Sequence, residues 1–332
     1  MSKETVLITG ATGYLGSALA HHLHRRYGDS IKLKALVRAS SSRRFLANLP
    51  IDFVLGDVRN PASLWDATEG ADVVFHCAAL VSFRQKDYRN LYRANVVGTR
   101  NLVNACLKNR VKRLVHISST AAIGASGLGE WSDEQTPFQA WQQRIGYFAS
   151  KRLSEFEIWR GVAEGLDAVI VNPSVALGDW NGWLCGSSEF IADLFRGKIP
   201  FAPKGSTGFV DLRDVVDAIE RAWKFGETGE RYIVSSESLS YQSLVERVAR
   251  FRGARCRNVL ELPSSVGVLL GAASDALAYL FNFSSPIALD SVRISALSLR
   301  YSNQKSIARL GASYRPLDET IERILIRRNL LR

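Results

Sequence analysis

Thr5-Val6-Leu7-Ile8-Thr9-Gly10-Ala11-Thr12-Gly13-Tyr14-Leu15-Gly16 decides the fold. Its first five residues are β-branched or aliphatic, which suits a strand. The glycines fall at three-residue intervals directly after it, and apolar residues at helical spacing follow over Leu15–Tyr27. A strand that turns on glycines into a helix is the context in which a dinucleotide phosphate loop forms. Gly10 allows the tight turn, Gly13 lets the backbone approach a pyrophosphate, and Gly16 lets the helix pack closely on the strand. Free N–H groups and the positive end of the helix dipole then favour the phosphates. The plainer alternative is a glycine-rich turn with a structural role only.

Working outward, the pattern repeats. Runs at Thr5–Thr9, Leu33–Val37, Asp52–Leu55, Asp72–His76, Arg113–Ser118 and Ala168–Asn172 are apolar nearly throughout, as in strands covered on both faces. Helical patterns such as Leu15–Tyr27 and Leu91–Lys108 lie between them. The expected fold is α/β, a doubly wound parallel sheet (Rossmann) with a smaller, mostly helical C-terminal substrate lobe. After Pro173 the texture changes: residues from Ser174 to Thr207 read as loops around a pocket. Gly208-Phe209-Val210-Asp211 then looks like a return to the sheet, with a helix near Asp214–Phe225 and a strand at Arg231–Val234. Pro263, Pro286 and Pro316 punctuate a helical cap. The expected division is residues 1–175 plus 207–235 for the nucleotide domain, and 176–206 with 236–332 for the substrate lobe.

The bulk numbers exclude several classes. A chain of 332 residues with 46% hydrophobic and 23% charged residues buries a large core and is not disordered. The net charge of +11 arises from scattered Lys and Arg, which suits a basic enzyme better than a dedicated nucleic-acid binder. Cys77, Cys106, Cys185 and Cys256 stand far apart without a Cys-x-x-Cys pair, so free thiols are expected, and no metal site. Val266 to Phe281, the longest apolar stretch, is broken by Ser274 and Asp275. It falls short of the span of about 20 residues that crosses a bilayer, so a partly buried helix of the smaller lobe is expected, with peripheral membrane contact as the alternative. A strand beginning at Thr5 leaves no room before it for a leader, so a cytoplasmic protein is expected.

Three further features carry chemistry. The second strand ends in Val37-Arg38-Ala39-Ser40, where an NAD enzyme would place an acidic residue for the ribose hydroxyls. A guanidinium there pairs with a 2′-phosphate, with help from Arg43 or Arg44, so NADP is the preferred cofactor; NAD with a solvated arginine is the alternative. Tyr147-Phe148-Ala149-Ser150-Lys151 puts a phenol and an ammonium one helical turn apart. The positive charge is expected to lower the Tyr147 pKa, so that Tyr147 exchanges a proton with a carbonyl or alcohol oxygen. Ser119, in Ile117-Ser118-Ser119-Thr120 at a strand's carboxyl end, is expected to steady that oxygen, while Ser118 and Thr120 satisfy backbone groups.

Taken together, these landmarks resemble an extended short-chain dehydrogenase/reductase, of the NAD-dependent epimerase/dehydratase superfamily and its dihydroflavonol reductase and 3β-hydroxysteroid dehydrogenase branch. The likeness runs through Gly10–Gly16, Gly56-Asp57-Val58, His76-Cys77-Ala78-Ala79, Asn95-Val96-Val97-Gly98-Thr99, Ser118-Ser119, Tyr147 with Lys151, and Asn172-Pro173. The resemblance implies that Gly10, Thr12, Gly13, Tyr14, Leu15 and Gly16 form the phosphate loop. It also implies that Asp57 and Val58 contact adenine, and that Cys77, Ala78 and Ala79 flank the pyrophosphate. Lys151 would bind the nicotinamide ribose, Asn95 would support a helix and a relay water, and Pro173 and Val175 would lie beside the carboxamide. It further implies a homodimer made by pairing the helices that carry Asn95 and Tyr147.

The chain departs from the sugar-nucleotide branch. Val169-Ile170-Val171-Asn172-Pro173 stands where an Arg-Tyr-Phe-Asn stretch is usual, and Gly208-Phe209-Val210-Asp211 replaces an Arg-Asp-Tyr strand. Trp131, Phe138, Trp141, Trp180, Trp183 and Phe190 suit an apolar or ring-bearing substrate, or else anchor loops. The histidines His21, His22 and His24 show no obvious carboxylate partner, and His76 and His116 read as packed strand residues. The leading reading is therefore NAD(P)H-dependent reduction of a ketone or aldehyde. Nucleotide-sugar epimerisation or dehydration is the runner-up, and a cofactor-sensing subunit without catalysis is a third.

Overall fold

The computed structural model describes residues 3–127, 129–180, 183–184, 186–199, 201–252, 260–262 and 289–331. The expectations attached to Cys185, Cys256, the Trp183 side chain, Pro263, Pro286 and the stretch from Val266 to Phe281 lie outside the described residues. The first elements are β1 (Glu4–Thr9), α1 (Tyr14–Tyr27), β2 (Ile31–Val37), β3 (Ile51–Leu55), α2 (Pro61–Thr68) and β4 (Val73–His76). Next come α3 (Tyr88–Leu91), a π-helical turn (Tyr92–Val97), α4 (Gly98–Lys108), β5 (Arg113–Ile117), α5 (Gly146–Ala163) and β6 (Ala168–Pro173). The chain continues through β7 (Val175–Leu177), β8 (Asp179–Trp180), β9 (Trp183–Leu184), α6 (Gly186–Phe195), β10 (Phe201–Pro203), β11 (Ser206–Asp211), α7 (Leu212–Phe225) and β12 (Arg231–Val234). It closes with β13 (Glu237–Ser240), α8 (Tyr241–Phe251), β14 (Leu260–Leu262), α9 (Leu289–Ser295), α10 (Gln304–Leu310) and α11 (Leu317–Arg327).

Seven strands form one parallel sheet in the order β12-β6-β5-β4-β1-β2-β3. The two-residue period of a strand explains why it needs helices on both faces. Val6, Ile8, Phe75, Val115, Ile117, Val169 and Val171 pack with Leu19 and Leu23 of α1 and Val215 and Ile219 of α7. The intervening Leu7, Val74, Leu114, Ala168 and Ile170 face Leu64 of α2, Leu102 and Cys106 of α4, and Ile158 of α5. Each such side chain contributes about 1.5–3 kcal/mol on leaving water. Helix starts are written locally: Asn60 accepts from the Ala62 amide with Pro61 following, Asp211 from Arg213, and Ser240 from Ser243.

The order reverses between β1 and β4. The chain runs outward through β2 and β3, then restarts on the other side of β1, so the crevice lies at the ends of β1 and β4. This is the Rossmann-like doubly wound fold expected.

Two expectations need correction. Residues 208–211 do not rejoin the main sheet; β11 pairs with β7 in parallel and β13 antiparallel, in a separate three-stranded sheet. β12 takes the place beside β6 in the main sheet, while β11 takes its partners from β7, which follows β6 beyond Ser174, and from β13. The stretch from Ser174 to Thr207, read as loops, holds three short strands ahead of the helix α6 and a fourth after it. Ile191 of α6 packs with Leu244 and Val248 of α8 and Ile321 of α11. Among the described residues no helix is long and apolar enough to cross a membrane.

Candidate active site

The glycine turn meets the steric demand placed on it. Gly10 has φ +69°, and a Cβ there would lie 2.6 Å from the Ala78 nitrogen. A Cβ on Gly16 would lie 2.3 Å from the Gly10 carbonyl oxygen, so α1 closes on the turn only with glycine at that position. Gly13 is the N-cap of α1, its amide donating to the Gly10 oxygen at 2.9 Å; no side chain caps the helix and its first turn carries no acidic residue. Those N–H groups suit an anion. Thr12 and Leu15 are half-buried beside the turn, and the Tyr14 hydroxyl reaches away to donate to the Gly178 carbonyl at 2.9 Å.

Across the crevice, a buried polar chain fixes the end of β4. Thr99 donates to the Asn95 carbonyl (2.6 Å), which leaves its oxygen to accept from His76 Nε2 (2.9 Å). His76 Nδ1 then accepts from Thr9 (2.8 Å), whose oxygen accepts from the Ala78 amide (3.3 Å). The proton thus sits on Nε2, and burial keeps the ring neutral with a pKa of about 3. The packed role expected of His76 holds, and His116 likewise contacts Ser154 (3.2 Å) with burial pushing its pKa down. Burial also raises the Cys77 thiol to about 12. Asn95, in the π-helical turn, uses its amide to bind both the nitrogen (2.7 Å) and oxygen (2.9 Å) of Leu80, and also Ser150 Oγ (3.0 Å). Ala79 lies on the strand-end loop that Asn95 thereby secures.

At the end of β2, Arg38 is exposed, with no side-chain partner among the described residues. Its neighbours are committed: Arg43 lies over Phe53 and Arg44 over Phe45. Asp57 is close enough to Arg38 to feel its charge, and is clamped by Arg59, Nη2 to Oδ2 at 2.6 Å, which holds its carboxyl below the usual range. The Val58 carbonyl accepts from Asn101 (3.0 Å), and Gly98 leaves room for the Val58 side chain.

The chemistry-bearing residues converge at the ends of β5 and β6. Lys151 is buried and donates to the Ile117 carbonyl at 2.9 Å. Ser119 faces Tyr147 closely enough to favour ionisation of its phenol, and its side-chain oxygen accepts from the Ala121 amide at 3.1 Å. Tyr147 packs with Leu91, Ala121, Ile145 and Phe148, and with the edge of Phe83, ring centroids 5.4 Å apart. Pro173 is buried at the end of β6, and Val175 is half-buried at the start of β7. The expected downward shift of the Tyr147 pKa by Lys151 is not found. Burial pushes the phenol up, and the group that opposes this is Ser119. The ammonium is spent on the Ile117 carbonyl and is itself destabilised by burial, its pKa falling to about 8.

Other expectations divide. Thr120 lies close enough to Tyr301 to favour ionisation of its phenol, but Ser118 Oγ is buried without a partner among the described residues, so it satisfies no backbone group. Phe138 and Trp141 join the cluster around Tyr147, whereas Trp131 is exposed beneath Arg300, Trp180 meets His21, and Phe190 packs with α6 and α8 residues. His22 does have carboxylate partners, Glu220 and Asp217, both supplied by α7. Sequence reading missed the buried Glu155 and Arg231 beneath the site; the only signal was Glu155 falling one helical turn after Lys151.

The residue pattern of the NAD dependent epimerase/dehydratase family matches residues 6–235. A Synechocystis protein provisionally named dihydroflavonol 4-reductase is 34% identical over 316 residues, 93% of this chain and 90% of that one. The sterol demethylase protein B of Methylococcus capsulatus is 34% identical over 249 residues, 75% of each. The crystal structure of gox2253 superposes with a TM-score of 0.83 at 29% identity, covering 99% of this chain and 100% of that chain.

Proposed function

The chain belongs to the NAD dependent epimerase/dehydratase family, and from that premise we propose that it reduces a ketone or aldehyde of an apolar or ring-bearing molecule, or oxidises the alcohol. The observation that carries this reading is Tyr147 and Lys151 buried one turn apart on α5, with Ser119 beside the phenol and an apolar cluster around it. The Gly10–Gly16 turn, Ala78, Lys151 and Arg38 would hold NADPH, which would supply the hydride. Tyr147 gives its proton to the substrate oxygen, and Ser119 orients that oxygen. The half-buried Leu80, Phe83, Phe138, Trp141 and Ile294 around Tyr147 favour an apolar substrate and exclude water. Relatives named as acting in flavonoid and sterol chemistry support the same class. The preference for NADP over NAD rests on the uncommitted Arg38.

The same reading includes a homodimer formed by the face of α3, α4 and α5, where Tyr88, Tyr92 and Phe156 are exposed. The direct test is a panel of steroid, flavonoid, terpenoid and aliphatic carbonyls, scored by parallel NADPH and NADH oxidation, with Tyr147→Phe as control. Tyr147→Phe is expected to lose turnover at least about 10³-fold while binding NADPH as before. Near-wild-type turnover in that variant overturns the assignment.

A further inference from the structure

Glu155 is completely buried, an expensive place for a carboxylate unless its partners are built in. They are. Its Oε2 meets Arg231 Nη1 at 3.0 Å and Arg152 Nη1 at 3.4 Å, while its Oε1 accepts from Asn172 Nδ2 at 2.6 Å. Arg231 is itself held against the Glu134 carbonyl and is 8% exposed. The same Asn172 Nδ2 also donates to the Ser119 carbonyl at 2.9 Å. Glu155 and Lys151 are one helical turn apart on α5, both inside the protein.

We infer that Glu155 is a positioning residue for the site: one turn from Lys151 on α5 it is the buried counter-charge to that ammonium, and through Asn172 it fixes the backbone of Ser119. This rests on the reductase reading for its consequence in catalysis, but not for its effect on Lys151. The other ionisable groups facing Lys151 do not replace it. His76 and His116, from β4 and β5, are held neutral, and Cys77 is held as a thiol. Tyr147, one turn earlier on α5, is held as a phenol by burial. Burial alone drives the Lys151 ammonium towards losing its proton, and Glu155 is the leading opposing influence. Arg231 and Arg152 compete with Lys151 for the same carboxylate.

The proposal makes a sign prediction that a purely structural role does not. The test is the titration of the Lys151 ε-carbon, followed by NMR in protein carrying ¹³C-labelled lysine, with the resonance assigned by its loss in Lys151→Met. Glu155→Gln is expected to move the midpoint down by about one pH unit, and Arg231→Gln to move it up. If either single variant fails to fold because a charge is left unpaired, Glu155→Gln/Arg231→Gln leaves neither and is expected to shift the midpoint down by less than the loss of Glu155 alone, since Glu155 is the nearer charge. An unchanged midpoint, or shifts of the same sign in both single variants, overturns the proposal. Where a carbonyl substrate is in hand, the alkaline limb of kcat/KM is expected to follow the midpoint down in Glu155→Gln. Full activity in Lys151→Met would overturn the catalytic reading while leaving the titration result to stand or fall by itself.

Discussion

Gly10 and Ala78 are in backbone contact across the gap between β1 and β4, so close that a methyl group on Gly10 would sit 2.6 Å from the Ala78 nitrogen. Positive φ at Gly10 adds to the conflict. Gly10→Ala is expected to cost about 1–3 kcal/mol in urea unfolding and to weaken NADPH binding at least about tenfold, as the crevice is pushed open. Wild-type affinity by fluorescence titration would show that the turn does not shape the phosphate site.

Arg38 is the basic residue at the end of β2 that is not stacked on a ring. Arg38→Ala is expected to raise the Kd for NADPH about tenfold and leave that for NADH nearly unchanged. Arg43→Ala is expected to do much less, because its guanidinium is engaged with Phe53. Equal losses for both coenzymes would argue for NAD.

His76 is neutral in the folded protein with a pKa of about 3, below the ordinary 6.5. Its contribution to stability is therefore complete above about pH 6.5 and declines as the pH falls towards 3, because only the unfolded chain takes up the proton. Urea unfolding at pH 8 and pH 5 should show His76→Gln losing about 2 kcal/mol less than wild type between the two, provided its baseline is two-state. The comparison between proteins cancels the carboxylates that titrate over the same range.

Asn95 satisfies three groups at once on the loop after β4 and on α5. Asn95→Ala leaves the Leu80 amide and carbonyl and the Ser150 hydroxyl to find other partners, at an expected cost of about 2–4 kcal/mol. Hydrogen exchange should quicken at Leu80 and around Tyr147; quickening confined to residues 92–97 would show that Asn95 serves its own turn only.

Ser119 opposes the upward shift that burial imposes on Tyr147. Ser119→Ala is expected to raise the phenol further, moving the pH profile for alcohol oxidation to higher pH, since fewer phenolates are present at a given pH. Turnover should also fall about 10²-fold at the optimum through loss of the bond to the substrate oxygen. An unshifted profile would mean that Ser119 touches only the substrate.

What the amino-acid order determined by itself was local: the glycine turn after β1, strands apolar on both faces, and a tyrosine and lysine one helical turn apart. These follow from backbone conformation and from periods of two and of about four residues, which hold wherever the segment finally lies. Tertiary structure alone decided which charges met. Glu155 and Arg231 are 76 positions apart, His22 finds Glu220 across 198, and β11 takes its partners from β7 and β13 while β12 pairs with β6. The direction in which Tyr147 titrates belongs to the same class. Desolvation depends on what surrounds a group in space, and that is a property of the packed chain.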